Sequence, residues 1–209
     1  MSLVLNVEPN WISPYVFACF VTLREKGLAF DARVLDASRN ETRTSDYLEQ
    51  TVTGRVPSLI HDGFGLGESS AIIEYLEDTF PDPPVLPRGV RDRARCRQLM
   101  SWLRSDETAK IREERSTATM FYDRARAPLS NAAAAAATKL YEVTRRVLQP
   151  GRSSIFDTWA IVDAELAFLL HRLILNGDPV PADVRAWAET QWQRPTVQAF
   201  VQLERPAHA

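Results

Sequence analysis

The residues best placed to do chemistry lie in one stretch, from Arg55 to Leu76, where a predicted hairpin leads into a helix. Val56-Pro57 holds the backbone extended, because proline lacks an N–H and restricts the residue before it. Asp62-Gly63 predicts a tight turn between two short strands, and Ser69 or Ser70 is expected to cap the helix that follows. A helix start exposes backbone N–H groups that favour an anion. The stretch therefore predicts a binding site for an anionic group.

Other kinds of site chemistry find little support in the sequence. The glycines of the hairpin alternate, whereas a phosphate-binding loop requires G-x-G-x-x-G after a strand or a Gly-Lys pair. The three histidines, His61, His171 and His208, are isolated and show no ligand spacing, so no metal is predicted. The same scatter, and the lack of a G-x-S-x-G motif, argue against a Ser-His-Asp hydrolase.

The composition is that of an ordinary globular protein, with 45% apolar and 25% charged residues. A net charge of -2 gives no reason to expect a nucleic acid or an anionic membrane as partner. No apolar run approaches the roughly 20 residues of a membrane span, and the first residues do not look like a signal peptide. Cys19 and Cys96 lie far apart without C-x-x-C spacing, which predicts a reducing compartment, the cytoplasm.

The first 80 residues alternate between strand and helix signals. Leu3–Val7 predicts a buried strand, Ser13-Pro14 starts a helix that Gly27 ends, and Phe30–Leu35 predicts a second strand. A strand, helix and strand in this order form a parallel, right-handed βαβ unit. With a short helix near Tyr47 and the hairpin and helix described above, the predicted order is βαβαββα.

The strand signal ends at a proline-rich stretch. Residues 81–88 contain too much proline for a regular element and predict a linker between a domain over 1–80 and a second domain over 89–209. Every pattern in the second domain is helical, so the chain is predicted to be α/β followed by all-α. The predicted helices are a charged one over 91–122 with a candidate break near Arg115 and a solvated face at 104–115, one over the alanine run at 132–137, an apolar central one over Ile161–Leu175, and two short ones over Asp183–Trp192 and Pro195–Leu203.

These elements and motifs resemble the glutathione S-transferase family, whose first domain is thioredoxin-like and whose second domain is a helical bundle. The resemblance covers nearly the whole chain. It is closest to the bacterial branch with Ser-Pro-Tyr-Val at the first helix start and Trp-Leu-Arg-Ser-Asp in the second domain. It implies a glutathione transferase that acts as a homodimer, with glutathione as co-substrate.

The resemblance implies a place for each part of glutathione. Val56, before Pro57, pairs its backbone with the cysteinyl part, as an added strand pairs with a sheet edge. Glu68 and Ser69 hold the γ-glutamyl end, because a carboxylate suits its ammonium and a helix start suits its carboxylate. The glycyl carboxylate is left with three candidates that the sequence does not separate: Arg39, Arg43 and Arg55.

The resemblance also places the reactive group at the start of the first helix, Ser13-Pro14-Tyr15-Val16. Related glutaredoxins have a cysteine at each end of this motif, so here the thiol must come from the ligand. Lowering a thiol pKa of about 8.5 by two units requires about 2.7 kcal/mol. A hydroxyl that donates to an anion supplies about 1.5–3 kcal/mol, and a helix N-terminus about 0.3–1 kcal/mol. Ser13 is therefore expected to be the catalytic residue that stabilises the thiolate.

The second substrate is expected to be a hydrophobic electrophile near Trp11, Tyr15 and Trp102. A glutathione-dependent peroxidase would use the same thiolate, so that activity stays open. A non-catalytic binding protein with this fold also stays open, although the intact serine, Val-Pro and Glu-Ser set argues against it. An isomerase of small diacids predicts basic residues near the helix start, and residues 13–20 contain none.

One position departs from the family pattern. The central helix of the second domain usually starts with Ser/Thr-x-x-Asp, but here Ala160 stands three residues before Asp163. Because alanine has no oxygen to cap with, the loss is about 1 kcal/mol. Asp157 or Thr158 is expected to cap the helix one turn earlier.

Overall fold

The computed structural model describes residues 1–125, 127–149 and 151–207. They form two compact units, one made of residues 1–85 together with the segment from Ala199 onward, the other of residues 86–198. The first unit is a four-stranded sheet with helices and the second is all-helical, so the predicted fold class is confirmed. The sequence predicts domains over 1–80 and 89–209 joined by a linker over 81–88. In the structure, residues 81–85 and the segment from Ala199 onward belong to the first unit.

The first unit follows the predicted βαβαββα order. Two short 3-10 turns, Ala37–Arg39 and Glu41–Arg43, precede its second helix. Its elements are β1 (Leu3–Val7), α1 (Pro14–Glu25), β2 (Asp31–Val34), α2 (Ser45–Thr51), β3 (Ser58–His61), β4 (Phe64–Gly67) and α3 (Ser69–Thr79).

The sheet has the strand order β2-β1-β3-β4. β1 runs parallel to β2 and antiparallel to β3, and β3 and β4 form the predicted hairpin. β2 is shorter than predicted, and all of its residues are exposed because it lies at the sheet edge. Of the predicted strand Phe30–Leu35, Leu35 alone is buried, and it lies just after β2.

An ion pair buried in the first unit explains why that unit extends to Val85. Lys26 Nζ lies 2.7 Å from a carboxylate oxygen of Glu77, and it also donates to the carbonyl oxygens of Phe80 and Pro83. Glu77 in turn accepts the N–H of Val85 at 3.0 Å. Each polar group in this dry environment therefore has a partner, which offsets its desolvation. The first half of the predicted linker is thus fixed to the sheet domain.

An aromatic cluster explains why the last segment belongs to the first unit. Phe200, in the last helix, is fully buried and packs edge-on against Phe17 and Phe20 of α1, with ring centroids 5.2 and 5.5 Å apart. Edge-to-face aromatic pairs add about 0.5–1.5 kcal/mol each beyond burial. The segment from Ala199 onward therefore packs with the first compact unit.

The second unit is built from helices around one that is almost entirely buried. The predicted central helix is confirmed as α8, in which residues 166–173 are all buried. The alanine run lies inside α7, which Ser130 caps. The elements are α4 (Val90–Leu103), α5 (Ala109–Glu114), α6 (Ala118–Phe121), α7 (Asn131–Val147), α8 (Ile161–Ile174), α9 (Ala182–Trp192) and α10 (Pro195–Val201), the last of which contains the unit boundary.

The predicted long helix over 91–122 is wrong, because the chain leaves the helical path after Leu103 as well as near Arg115. The predicted solvated face at 104–115 is present at Lys110 and Glu113, which form an exposed ion pair, but it is wrong for Arg104 and Arg115. Arg115 is buried and donates to both carboxylate oxygens of Asp178, at 2.6 and 2.8 Å. Arg104 pairs with Glu165 of α8. These arginines fasten the irregular segment to the bundle, which the charge pattern alone does not reveal.

The start of α8 is held by Asp163. One carboxylate oxygen of Asp163 accepts the N–H of Ala160 at 2.9 Å, and the other accepts the N–H of Ile155 at 2.8 Å. The expected cap from Asp157 or Thr158 is wrong, since the helix begins at Ile161 and Asp157 pairs with Arg152 instead. Asp163 is fully buried, and this burial raises its pKa to about 6.

Asp163 should make stability depend on pH. Between the unfolded value of about 3.9 and the folded value of about 6, the folded chain keeps a proton that the unfolded chain loses, so stability falls as pH rises through this window. Asp163→Asn lacks this titration. Urea unfolding should show the wild-type advantage over the variant shrinking by about 2 kcal/mol from pH 4.5 to 7. A constant difference would contradict the prediction.

Within the described ranges, no helix is both long and apolar enough to cross a membrane.

Candidate functional site

The strand register brings the predicted site segments to one end of the sheet. Asn6, near the end of β1, is paired with Ser58 at the start of β3, and Ser58 is paired with Gly67 at the end of β4. The residues that follow β1, precede β3 and follow β4 therefore lie beside one another. These segments contain Ser13, Val56-Pro57 and Glu68-Ser69.

Ser13 is the N-cap of α1, as predicted. Its Oγ accepts the N–H groups of Tyr15 at 3.2 Å and Val16 at 3.3 Å. No described residue accepts the hydrogen of its own hydroxyl. Because the side chain is partly exposed, that hydrogen can be donated to a ligand.

The backbone before Ser13 is held by Glu8, a residue that the sequence did not single out. One carboxylate oxygen of Glu8 accepts the N–H of Ile12 and of Ser13, both at 2.6 Å. Burial raises the pKa of Glu8, while these N–H groups and Arg205 act in the opposite direction. No capping motif contains a glutamate five residues before the N-cap, so no pattern could have indicated it.

Two of the aromatic candidates lie near Ser13. Trp11 has a positive φ of 50°, and its ring packs edge-on against Phe20 and Phe200. Arg205 donates to the carbonyl oxygen of Trp11 at 3.2 Å. Trp11 thus serves the packing of the first unit, whereas Tyr15, in the first turn of α1, is 38% exposed.

Trp102, the third aromatic candidate, belongs to the second unit. Its indole N–H donates to Glu107 at 3.1 Å. It lines a groove of about 740 Å³ between α4, the end of α7 and the segment before α8.

A chain of side-chain hydrogen bonds positions the segment before β3. Asn6 donates to Ser58 Oγ at 2.8 Å, Ser58 lies 2.9 Å from the Tyr47 hydroxyl, and Tyr47 donates to the carbonyl oxygen of Arg55 at 2.8 Å. Asn6, Ser58 and Tyr47 are all buried. The sequence missed this network, although Asn6 is the one polar residue within the apolar strand Leu3–Val7.

Val56 is the next residue in the chain after Arg55, whose carbonyl oxygen ends this network. The Val56-Pro57 peptide is cis. The backbone N–H and carbonyl of Val56 have no hydrogen-bond partner in the part of the chain that the structure describes. Because Val56 is only half-buried, both groups can pair with an extended ligand.

The start of α3 differs in detail from the prediction. Neither Ser69 nor Ser70 caps the helix, because Glu68 occupies the N-cap with a φ of 67° and forms no side-chain cap. The N–H groups of residues 69–71 have no acceptor among the described residues, as expected for the first turn of an uncapped helix. Glu68 is exposed and Ser69 is buried. An anion and a cation can both be bound here.

The glycines of β4 have a packing role. A Cβ at Gly65 would clash with the carbonyl oxygen of Gln50, and one at Gly67 would lie 2.9 Å from that of Thr51. The last turn of α2 therefore packs directly on the β4 backbone, which keeps the hairpin close to Tyr47.

The arginine candidates for the glycyl carboxylate and the histidines do not converge on one site in the structure. Arg39, Arg43 and Arg55 are all exposed, and no contact selects one of them for a carboxylate. His61 is hydrogen-bonded to the Tyr75 hydroxyl at 2.7 Å, and His171 stacks on Trp192, with burial lowering the pKa of His171 to about 4. His208 lies outside the described residues. Among those that are described, no group of three metal-ligand side chains occurs.

Comparison with known proteins gives matches over both halves of the chain. A solved glutathione transferase homologue from Burkholderia GL BGR1, with bound glutathione, is 37% identical, with 97% of each chain covered and a TM-score of 0.78. A stringent starvation protein A homologue from Coxiella burnetii is 30% identical over 77% of this chain and 72% of that protein. The maleylacetoacetate isomerase of Dictyostelium discoideum is 31% identical over 46% of this chain and 45% of that protein.

The chain spans about half or less of the length of several curated relatives that it matches. Two family models together cover most of the chain. The glutathione S-transferase N-terminal domain matches residues 11–84, and the glutathione S-transferase C-terminal domain matches residues 89–205. Together with the fold, these matches mean that the chain belongs to the glutathione S-transferase family.

Proposed function

We propose that the protein is a glutathione transferase in which Ser13 stabilises the glutathione thiolate for transfer to an electrophilic small molecule. The observation that carries the proposal is the Ser13 hydroxyl, whose oxygen is fixed by two N–H groups while its hydrogen has no acceptor among the described residues. A hydroxyl arranged in this way donates to an anion without first breaking another bond. The thiol proton leaves to solvent, and the sulfur keeps the electron pair.

The unpaired groups at the same end of the sheet match the rest of glutathione. The free N–H and carbonyl of Val56 suit the cysteinyl backbone. The free N–H groups at the start of α3 suit the γ-glutamyl carboxylate, and the Glu68 carboxylate suits its ammonium. The Burkholderia homologue, solved with bound glutathione, supports glutathione as the ligand. Arg55 remains a candidate for the glycyl carboxylate, together with Arg39 and Arg43.

The wider setting is part of the same proposal. Tyr15, on the first turn of α1, is exposed beside Ser13 and is the aromatic candidate best placed to contact a hydrophobic electrophile. Cys19 and Cys96 are buried and form no disulfide among the described residues, which suits the cytoplasm, where reduced glutathione is available. We place the protein there as a homodimer.

Replacing Ser13 should remove the thiolate but not the ligand. Ser13→Ala loses a donor worth about 1.5–3 kcal/mol to the anion, so the pKa of bound glutathione should rise by about one to two units. Thiolate absorbance at saturating glutathione, followed against pH, measures this shift. Because the wild-type thiol pKa is expected to be about 6.5, the thiolate fraction at pH 7, and with it conjugation of an aryl halide, should fall about three- to 25-fold.

The matched control for this experiment is Ser130→Ala. Ser130 caps α7 in the second unit through Ala133 N–H, so its loss should cost about 1 kcal/mol of stability and leave the thiol pKa unchanged. A wild-type protein that binds glutathione with an unshifted thiol would refute the proposed transferase and favour a non-catalytic binding protein.

The Tyr47 network should affect glutathione affinity rather than ionisation. Tyr47→Phe leaves the Arg55 carbonyl without its donor, so the segment that presents Val56 loses about 1 kcal/mol of support. Binding of S-methylglutathione, measured by calorimetry, should weaken about fivefold. Tyr141→Phe, which removes a similar bond to the Pro179 carbonyl in the second unit, is the control and should bind as wild type. Equal affinities for both variants would argue against the assigned role of Val56.

A further inference from the structure

We propose that Glu8 is a positioning residue for Ser13, which it holds so that the serine hydroxyl faces the bound thiol. The inference rests on the proposed function, since it concerns how Ser13 comes to act on a thiol. Glu8 does not touch the ligand in this account. It acts through two backbone amides, those of Ile12 and Ser13, and through them on the orientation of the N-cap.

The Glu8 carboxylate restrains two consecutive peptide groups, those whose N–H groups belong to Ile12 and Ser13. A single Glu8 oxygen accepts two consecutive N–H groups, each at 2.6 Å, and one of them belongs to Ser13 itself. Glu8 follows Val7, which is fully buried and paired with β2, so the carboxylate is attached at the end of a hydrogen-bonded strand. The sheet and the serine are thereby connected by one side chain.

The loop between these points needs such a connection. Trp11 has a positive φ of 50°, a conformation that costs a bulky residue free energy and persists only when its surroundings impose it. The N–H of Trp11 reaches the Glu8 carbonyl only at 3.4 Å, while its carbonyl accepts from Arg205. The two short bonds to the Glu8 carboxylate are therefore the strongest local restraint on residues 11–13.

The second oxygen of Glu8 shows that this restraint has a cost. It is buried and has no hydrogen-bond partner among the described residues. Burial raises the pKa of Glu8, and Arg205 is the basic side chain that acts on it from the last segment. Unsatisfied buried polar atoms are rare in folded proteins and cluster at functional sites. A residue needed only to close a loop could be shorter.

The experiment compares glutamine with aspartate at this position. Glu8→Gln keeps an acceptor oxygen at the same reach and loses the charge, whereas Glu8→Asp keeps the charge and is one methylene too short. The readouts are the pKa of bound glutathione from thiolate absorbance and the Kd for S-methylglutathione, which has no thiol proton. We expect Glu8→Asp to raise the thiol pKa by about one unit, from about 6.5 to about 7.5, which lowers the thiolate fraction at pH 7 about threefold, with Kd changed less than twofold. Glu8→Gln should keep the thiol pKa within about 0.3 units of the wild-type value.

Glu114→Ala is the matched control, because Glu114 also accepts the N–H of an N-cap serine, Ser130, but in the second unit. It should leave the thiol pKa unchanged. A wild-type pKa in Glu8→Asp would overturn the inference, and so would a Glu8→Gln variant that loses the thiolate while Glu8→Asp keeps it, since the charge would then matter and not the reach. A parallel loss of S-methylglutathione binding would also overturn it, as a general structural effect. An unshifted thiol in wild type would instead refute the proposed function.

Discussion

The pairing of β3 between β1 and β4 is the constraint on which the site depends. Because Ser58 is opposite both Asn6 and Gly67, the chain must leave β1, enter β3 and leave β4 at the same end of the sheet. A one-residue slip would turn the side chains of β3 to the other face and separate Ser58 from Asn6 and Tyr47. The strand register thus determines which unpaired backbone groups lie beside Ser13.

In the first unit a buried ion pair and a buried hydrogen-bonded chain have their partners, whereas several polar groups at one end of the sheet have none among the described residues. The buried Lys26 ammonium has a carboxylate and two carbonyl partners, and the hydroxyl chain from Asn6 ends on a carbonyl. By contrast, the Ser13 hydroxyl hydrogen, the Val56 backbone and the first N–H groups of α3 have no partner among the described residues. Such a distribution is typical of a preorganised site, in which the ligand completes the hydrogen bonding and little rearrangement is needed.

The fold was predictable where the signals are local. Ser13-Pro14 and Asp62-Gly63 depend on neighbouring residues alone, and the structure contains both the helix start and the turn. Contacts between distant residues had no such signal: the Glu8 carboxylate, the packing of Phe200 on α1 and the pairing of Arg115 with Asp178 depend on tertiary structure. The charged segment after Leu103 was misread for the same reason, since arginines buried by a bidentate partner look in sequence like a solvated face.

The central claim is that glutathione lies at this end of the sheet with its sulfur on Ser13. A crystal structure of the protein with glutathione at neutral pH tests it most directly. The account predicts the sulfur within hydrogen-bonding distance of Ser13 Oγ, the cysteinyl backbone paired with Val56, and the γ-glutamyl carboxylate at the first N–H groups of α3. A sulfur bound instead by the Tyr15 hydroxyl, or a glutathione molecule that leaves the Val56 backbone unpaired, would contradict it.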